Sequence, residues 1–297
     1  MKRTILVTAL LAVGIAVISL TSAQQRPSMT PEQLQRVQIK PVPGKEGLYV
    51  IPGFDGNMSG GSVAVLVTGE GVIIVDNKFS DSFADIVRQV ASVTSEPIRY
   101  VLNTHHHFDH AGSNADFIPT AQVIGHENAR ANMIRNGEVG APPLTFSQRT
   151  SVYLGGVEVQ AHHFGRGHTG GDAVIYFPAQ RTVHTGDLFI WGDRMDGSTL
   201  APFIDYSNGG SAADWTATLD GVLTLDFDTV IPGHGPILTK NDVRTFKDKF
   251  ERLVMRITRL IESGVSRNDI AGRLNIDDLN WPLAPDRIQA IYDELSK

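Results

Sequence analysis

The sequence predicts an α/β protein, and two patterns in it lead to this fold class. Between residues 48 and 135, short β-branched runs alternate with segments whose apolar residues recur at helical spacing. Between residues 150 and 183 the pattern becomes a series of short strands, and helical spacing returns from residue 211. The 297-residue chain is 41% hydrophobic and 20% charged, which suits one or two globular domains with a sizeable core.

The N-terminal segment has the three-part layout of a secretory signal peptide, predicted at residues 1–23. Lys2 and Arg3 precede an apolar run over residues 5–20, and Ala23 ends a short stretch of small residues. A membrane span needs about 20 residues, so this run is short for one, and an uncleaved anchor is the alternative. The chain contains no cysteine, which excludes a disulfide framework. We therefore expect a periplasmic or secreted protein with no stable membrane association after cleavage.

Charge narrows the class of partner. Cleavage after Ala23 removes Lys2 and Arg3 and no acid, so the formal charge falls by two, from −6 to −8. An acidic protein is a poor general partner for nucleic acid or an anionic membrane. We expect a small-molecule substrate and no nucleic acid, while the sequence leaves the oligomeric state open.

The elements of the first half can be predicted in order. Residues 24–46 hold four prolines and are predicted as a tether with at most one turn of helix, which Thr30 caps and Pro31 begins. A domain over residues 47–297 follows. Its first half is predicted to contain strands at 48–51, 62–67, 72–75, 98–102 and 121–124, a hairpin turn at 69–71, and helices at 83–90 and 127–135.

The second half begins with a Gly/Pro-rich loop at 137–143. Its predicted strands lie at 150–154, 157–161, 173–177, 182–183 and 229–231, and its predicted helices at 211–223, 243–261 and 286–295. Ser266 with Asp269 resembles a capping box that opens one more short helix. Residues 189–210 have no regular pattern, and loops of that length in a compact domain are often functional.

The segment from Thr104 to Gly112 follows the strand at 98–102 directly and contains four histidines and one aspartate within residues 105–110. His105 and His107 are two residues apart, so in an extended segment their rings point to the same side and can bind one ion. Asp109 and His110 follow after one residue and can face a second ion. Hydrolases use two metal ions roughly 3.5–4 Å apart. A solvated loop or a purification-tag remnant is the alternative, and the internal position and the interposed Phe108-Asp109 disfavour it.

Three single residues further along extend this pattern. His168 lies in a glycine-rich turn at 165–171, Asp187 follows the strand at 182–183, and His234 lies between two glycines after the strand at 229–231. Each alone is more often a turn residue than a ligand. Their common placement at strand ends predicts that they join the same metal site.

These motifs resemble the signature of the metallo-β-lactamase-fold hydrolase superfamily, which is His-x-His-x-Asp-His followed by single His, Asp and His ligands. The resemblance covers residues 48–238 and leaves a variable helical extension from about residue 239. It implies an αββα sandwich with two Zn²⁺ per chain, and iron or manganese are compatible alternatives. By position it assigns His105, His107 and His168 to the first zinc, Asp109, His110 and His234 to the second, and Asp187 to a bridge between them.

Asp187 also indicates a branch of the superfamily. β-Lactamases proper carry cysteine there or lack the bridging acid, whereas glyoxalase II-type thioesterases, lactonases and phosphodiesterases keep aspartate. The resemblance therefore implies an exported hydrolase whose metal-bridging hydroxide attacks an ester-like, thioester, lactone or lactam carbonyl, with Asp109 as the catalytic group that orients the water. The alternatives are β-lactam hydrolysis as a main or side activity, a di-iron redox module, and a metal-dependent sensor without turnover.

Five further histidines and the substrate-binding loops remain. We predict that His106 points away from the metals and either faces solvent or supports a ligand, with substrate contact as the alternative. We also predict that His162 or His163 orients a ligand through its second nitrogen, and that His126 and His184 are structural. The pocket is predicted to be lined by the loop after Asn57, by residues 137–143 and by residues 191–210.

Overall fold

A computed structural model describes residues 27–297, so the predicted signal segment at 1–23 lies outside the described residues. Two β-sheets pack face to face, and helices cover the outer face of each sheet. This is the αββα sandwich that the resemblance implied, and the fold-class prediction is confirmed. In the described part, no helix combines the length and the apolar composition needed to cross a membrane.

The first sheet has seven strands in sequence order. They are β1 (Lys40–Pro41), β2 (Leu48–Ile51), β3 (Val63–Thr68), β4 (Gly71–Val75), β5 (Ile98–Leu102), β6 (Gln122–His126) and β7 (Leu144–Phe146). Strands β1 to β4 pair antiparallel, and β4 to β7 pair parallel. The parallel strands end at one edge of the sheet, which is where the chain enters the histidine cluster.

The second sheet has six strands in the order β13-β12-β11-β10-β9-β8. They are β8 (Arg149–Leu154), β9 (Val157–His162), β10 (Val174–Phe177), β11 (Thr182–His184), β12 (Thr229–Ile231) and β13 (Leu238–Thr239). Only β11 and β12 pair parallel, so Asp187 and His234, each three residues beyond one of these strands, leave the sheet at the same edge.

Successive side chains of a strand point to opposite faces of its sheet, and apolar residues on both faces bury each sheet from two sides. In β4, Ile73 and Val75 face the other sheet, while Ile74 packs with Ile86 of the helix outside. In β10, Ile175 faces the other sheet, while Val174 and Tyr176 pack against the outer helices.

The helices fill the outer layers. They are α1 (Pro31–Arg36), α2 (Phe83–Ala91), α3 (Phe108–Ala111), α4 (Asn114–Phe117), α5 (Glu127–Asn136), α6 (Ala212–Leu223), α7 (Lys240–Glu262), α8 (Ile270–Arg273) and α9 (Pro285–Leu295). Helix α7 buries Phe246 and Phe250 against Trp215 of α6. The predicted C-terminal helices therefore form the outer layer of the second sheet.

Two sequence predictions differ from the structure in detail. The segment at 24–46 has the capped helix at Thr30, but it also adds β1 to the first sheet and buries Val37 and Val42, so part of it packs on the domain. The capping box predicted at Ser266 is absent, because the Ser266 hydroxyl donates to the Asp269 carboxylate at 2.7 Å instead of capping a backbone N–H, and α8 starts only at Ile270.

Candidate metal centre

The seven predicted ligands meet between the two sheets, at the ends of four strands. His105 and His107 follow β5, and Asp109 and His110 lie on α3, whose single turn supplies the predicted change of direction. His168 follows β9, Asp187 lies in a 3-10 turn (Gly186–Leu188) after β11, and His234 follows β12. Each sheet thus contributes part of the set.

Donor atoms of His105, His107 and His168 lie within 4.8 Å of one another and form the first cluster. His107 Nδ1 is 2.8 Å from His168 Nε2. The second nitrogen of each ring has an acceptor: Asp205 Oδ2 is 2.9 Å from His107 Nε2, and the Phe203 carbonyl is 2.7 Å from His168 Nδ1.

Those acceptors fix the tautomers, because the nitrogen that faces a carboxylate or a carbonyl must carry the proton. His107 Nδ1 and His168 Nε2 then carry no proton, so their lone pairs face each other. The two lone pairs repel each other unless a cation lies between them. His105 Nε2, which belongs to the same cluster, is buried and has no hydrogen-bond partner within residues 27–297. The donor set of three imidazole nitrogens fits a metal ion.

Asp109, His110 and His234 form the second cluster, again with donor atoms within 4.8 Å. His110 Nε2 lies 3.3 Å from His234 Nε2, and Asp109 Oδ2 lies 3.2 Å from His234 Nε2. This cluster has the carboxylate that the first lacks.

Asp187 lies between the two clusters. Its Oδ1 is 3.2 Å from His110 Nε2, and its Oδ2 is 3.7 Å from His168 Nε2, so one carboxylate faces a ligand of each cluster. Its Oδ1 is buried and has no hydrogen-bond partner in the described part of the chain. This placement fits the bridging position.

Asp76, which directly follows β4, supports ligands of both clusters. It is fully buried and accepts hydrogen bonds from Thr104 N at 2.8 Å, Thr104 Oγ1 at 2.7 Å and His110 Nδ1 at 2.8 Å. Because the Thr104 hydroxyl donates to Asp76, the contact of 3.0 Å between Thr104 Oγ1 and His105 Nδ1 has the imidazole as donor. Asp76 therefore leaves the lone pair of His105 Nε2, and that of His110 Nε2, facing the site.

The family comparison agrees with this geometry. The family model for the metallo-beta-lactamase superfamily matches residues 57–234, which is more than half of the chain. The chain belongs to the metallo-beta-lactamase superfamily. The predictions of this superfamily and of a metal-dependent hydrolase are both confirmed.

Relatives within the superfamily have several activities. The chain is 29% identical over 187 residues to the 2,4-dinitroanisole O-demethylase subunit alpha of Nocardioides sp. (strain JS1661), covering 61% of this chain and 53% of that subunit. It is 29% identical over 214 residues to a probable hydroxyacylglutathione hydrolase of Schizosaccharomyces pombe, covering 69% and 73%. A metallo-beta-lactamase from Pontibacter korlensis superposes with a TM-score of 0.61 at 17% identity, over 72% of this chain and 98% of that one, which supports the fold.

The histidines of the two clusters differ in the direction in which their pKa values are shifted. Burial, with the neighbouring imidazoles, lowers the pKa of His105 well below its usual value and that of His168 to about 4, so both favour the neutral form that binds metal. Burial acts the same way on His234, but Asp187 and Asp109 outweigh it and raise its pKa to about 9. Metal binding at the second cluster must therefore displace protons.

Glycines keep space around the candidate ligands. A Cβ on Gly233 would lie 2.0 Å from Asp187 Oδ1, and one on Gly61 would lie 2.2 Å from His110 Cε1. Any side chain there would displace a ligand. The flanking glycines that singled out His234 in the sequence thus serve Asp187 as well.

The remaining histidines follow the predictions in part. His126 and His184 are structural as predicted: His126 Nδ1 caps α5, and His184 bonds the backbone of Ser62 and Gly186. The prediction for His162 or His163 is wrong, because His162 pairs with Gln160 and His163 with the Asp172 carbonyl. Asp205 and the Phe203 carbonyl orient ligands instead.

His106 is 1% exposed, and neither ring nitrogen has a hydrogen-bond partner within residues 27–297. His106 lines an adjacent cavity but is almost fully buried, so the predicted solvent role is wrong. One of its nitrogens comes within 4.8 Å of His107 and Asp205 donor atoms. Since His107 Nε2 is already paired with Asp205, we assign no ion to this third group.

The cavity beside the centre has a volume of about 830 Å³. Apolar side chains dominate its lining, including Met58, Phe79, Phe108, Met133 and Val139. The loop after Asn57 and the loop at 137–143 contribute as predicted. Residues 191–210 do not line this cavity; Phe203 and its neighbours line a separate one of about 160 Å³.

Lys78 holds the loop that carries Met58. Its ammonium donates hydrogen bonds to the carbonyls of Pro52, Ser59 and Gly61 at 3.0, 2.7 and 2.7 Å. Gly56 of the same loop faces Asp109, and a Cβ there would lie 3.0 Å from Asp109 Oδ2. The loop therefore links the wall of the cavity to the carboxylate of the second cluster.

Proposed function

We propose that this protein is an exported dinuclear zinc hydrolase that acts on the ester-like, thioester, lactone or lactam carbonyl of a small molecule. The observation that carries the proposal is the position of Asp187 between the clusters, with one oxygen facing His110 and the other facing His168. A single-ion site would have no use for such a carboxylate. Export rests on the predicted signal peptide at residues 1–23.

The residues fit two ions, and each has a defined task. His105, His107 and His168 would hold the first zinc, Asp109, His110 and His234 the second, and Asp187 both. When bound, such a pair of ions lowers the pKa of a shared water and polarises a carbonyl oxygen. Asp109, whose side chain is 8% exposed, is the carboxylate that would orient the water and accept its proton.

The substrate side is consistent with a partly apolar small molecule. The cavity of about 830 Å³ is of the size that holds such ligands, and His106 and Phe108, which lie between candidate ligands in the sequence, are among its lining residues. The mature chain carries a net formal charge of −8 from the sequence, which disfavours nucleic acid as a substrate. β-Lactam hydrolysis is the second candidate, and Asp187 in place of a cysteine disfavours it as the main activity.

Two measurements test the proposal. Elemental analysis of the zinc-loaded mature protein should give two ions per chain, and one or none after careful loading would contradict it. A panel of lactones, thioesters, esters, β-lactams and phosphodiesters should show turnover of carbonyl substrates that chelation abolishes. Turnover of phosphodiesters alone would overturn the substrate class.

Substitution of Asp187 separates the bridge from its alternative, a turn residue at a strand end. Asp187→Ala should weaken the second metal first, because the first cluster keeps its three imidazoles, and turnover should fall by about 10–100-fold or more with the fold retained. Asp187→Cys supplies a softer ligand that binds one zinc well. It should lose ester and lactone activity while β-lactam turnover holds or rises relative to it. Two metals and wild-type turnover in Asp187→Ala would refute the bridge.

A further inference from the structure

The last helix of the chain contacts the elements that hold His168. Glu294, in the final turn of α9, accepts hydrogen bonds from Ser211 Oγ at 2.6 Å through Oε1 and from Ala212 N at 2.8 Å through Oε2. Both partners lie at the start of α6, where backbone N–H groups lack helical acceptors. A carboxylate is stabilising at this position because it also meets the positive end of the helix dipole.

Ser211 connects this contact to the ligand. Its backbone N–H donates to the Gly167 carbonyl at 2.9 Å, and Gly167 directly precedes His168. The His168 carbonyl in turn accepts from Asp205 N at 2.8 Å, and the Asp205 carbonyl accepts from Gly210 N at 2.8 Å. The backbone of His168 is thus fixed by the segment that Glu294 holds at its end.

Helix α9 makes a second contact on the other side of His168. The guanidinium of Arg287 lies 4.9 Å above the ring of Phe203, a cation–π distance. The Phe203 carbonyl accepts the Nδ1–H of His168, and the two rings lie 5.8 Å apart. Arg287 therefore packs on a ring that is 41% exposed and that also contacts the ring of His168.

We propose that Glu294 and Arg287 are positioning residues for His168, through which the C-terminal helix controls the affinity of the first metal site. The inference rests on the proposed function, since that assigns His168 to the first ion. The sequence does not indicate a link between these residues, because Glu294 lies 126 residues beyond His168. The motif that identifies the site ends at His234 and contains neither residue.

A double-substitution cycle tests the proposal. Zinc affinity is measured by chelator competition for the wild type, Glu294→Ala, His168→Ala and the double variant. We expect Glu294→Ala to weaken the first ion about 10-fold, the lower end for loss of a ligand's support, and to have no further effect once His168 is absent. An equal loss in both backgrounds, or wild-type affinity in Glu294→Ala, would overturn the proposal.

Matched variants separate positioning from general destabilisation. Asp293→Asn removes the adjacent ion pair of α9 with Arg267, at 2.6 Å, and should leave zinc affinity unchanged. Glu294→Gln keeps one acceptor oxygen and should restore part of the loss. If Glu294→Ala does not fold, Arg287→Ala should give the same cycle with a weaker, roughly 2–5-fold, effect; no effect in either variant would refute the inference.

A metal-free readout keeps this inference distinct from the proposed function. In the metal-free protein with ¹⁵N-labelled histidine, the Nδ1–H of His168 should be protected from solvent exchange by its bond to Phe203, and Glu294→Ala should reduce that protection. If the wild type binds no zinc, the proposed function fails. If it binds zinc but neither affinity nor protection changes in Glu294→Ala, only the positioning role fails.

Discussion

Asp76→Asn is the most informative substitution, because one buried carboxylate supports a ligand of each cluster. Asparagine has a single oxygen, and Thr104 N requires an acceptor at Oδ1. The amide NH₂ then takes the Oδ2 position, where Thr104 Oγ1 and His110 Nδ1 both donate in the native protein. Backbone strain does not confuse the result, since the φ of +61° at Asp76 is one that asparagine also adopts.

The physical consequence is a change of tautomer in both clusters. Facing an NH₂ donor, His110 Nδ1 must accept, which moves its proton to Nε2, the nitrogen that should bind metal. The Thr104 hydroxyl must also accept from the new amide, so it donates to His105 Nδ1 and moves that proton to Nε2. Neutral nitrogens with a free lone pair are required for ligation, so each ion should bind about 10–100-fold more weakly.

Folding should survive the change. If neither rearrangement occurs, two buried donors remain unsatisfied, at a cost of about 1–3 kcal/mol each. The total of about 2–6 kcal/mol is smaller than most of the range of about 5–15 kcal/mol for the stability of a domain, so we expect the variant to remain folded. The circular dichroism spectrum should therefore be native, with a lower midpoint of urea unfolding.

The assay is chelator competition with zinc, together with urea unfolding. Asp55→Asn is the matched control, because Asp55 is 3% exposed and its carboxylate accepts from the backbone of Asn57, Met58 and Met195 but from none of the candidate ligands. It should lose stability and keep both metals. Two ions of wild-type affinity in Asp76→Asn would show that the tautomer assignment is wrong.

Three further substitutions test separate features. Asp205→Asn removes the carboxylate from His107, so the first ion alone should weaken by about 10–100-fold in the same competition; equal weakening of both ions would contradict this. His106→Leu removes two buried nitrogens without partners, so unfolding should cost about 1–3 kcal/mol more, and lower stability would indicate a partner for His106. Burial raises the pKa of Asp172 to about 7, so the folded chain holds an extra proton and stability falls as the pH rises from about 4 to 7. Asp172→Asn, measured without metal, should lose this slope, and an unchanged slope would refute the assignment.

The strongly patterned elements were predictable, and some of the shortest were not. Strand β5 has the predicted bounds, and helix α7 was visible in its long apolar stripe, because the helix buries one periodic face. Strands β1, β7 and β13 contain two or three residues and were not predicted. They exist through pairing with a neighbour, and their sequences have no distinct strand pattern, whereas the three-residue β12 was predicted with its exact bounds.

The same distinction holds for the site. The candidate ligands were predictable because their residue types and strand-end positions form a motif. Asp76 carried a usable signal, since it is an acid directly after the strand that pairs in parallel with β5. The Phe203 carbonyl carried none, because every residue has a carbonyl and only the path of the loop at 191–210 brings this one to His168.

The hydrogen bonds that Asp76 and Asp205 make to the candidate ligands also predict how a chelator removes the two ions. Asp76 accepts a hydrogen bond from His110 of the second cluster and is linked through Thr104 to His105 of the first, whereas the Asp205 carboxylate bonds His107 alone among the candidate ligands. Titration with chelator should therefore remove both ions at similar concentrations in Asp76→Asn but in two separated steps in Asp205→Asn. Two separated steps in Asp76→Asn would mean that the bond from His105 to Thr104 does not depend on Asp76, and the supports of the two clusters would then be independent of each other.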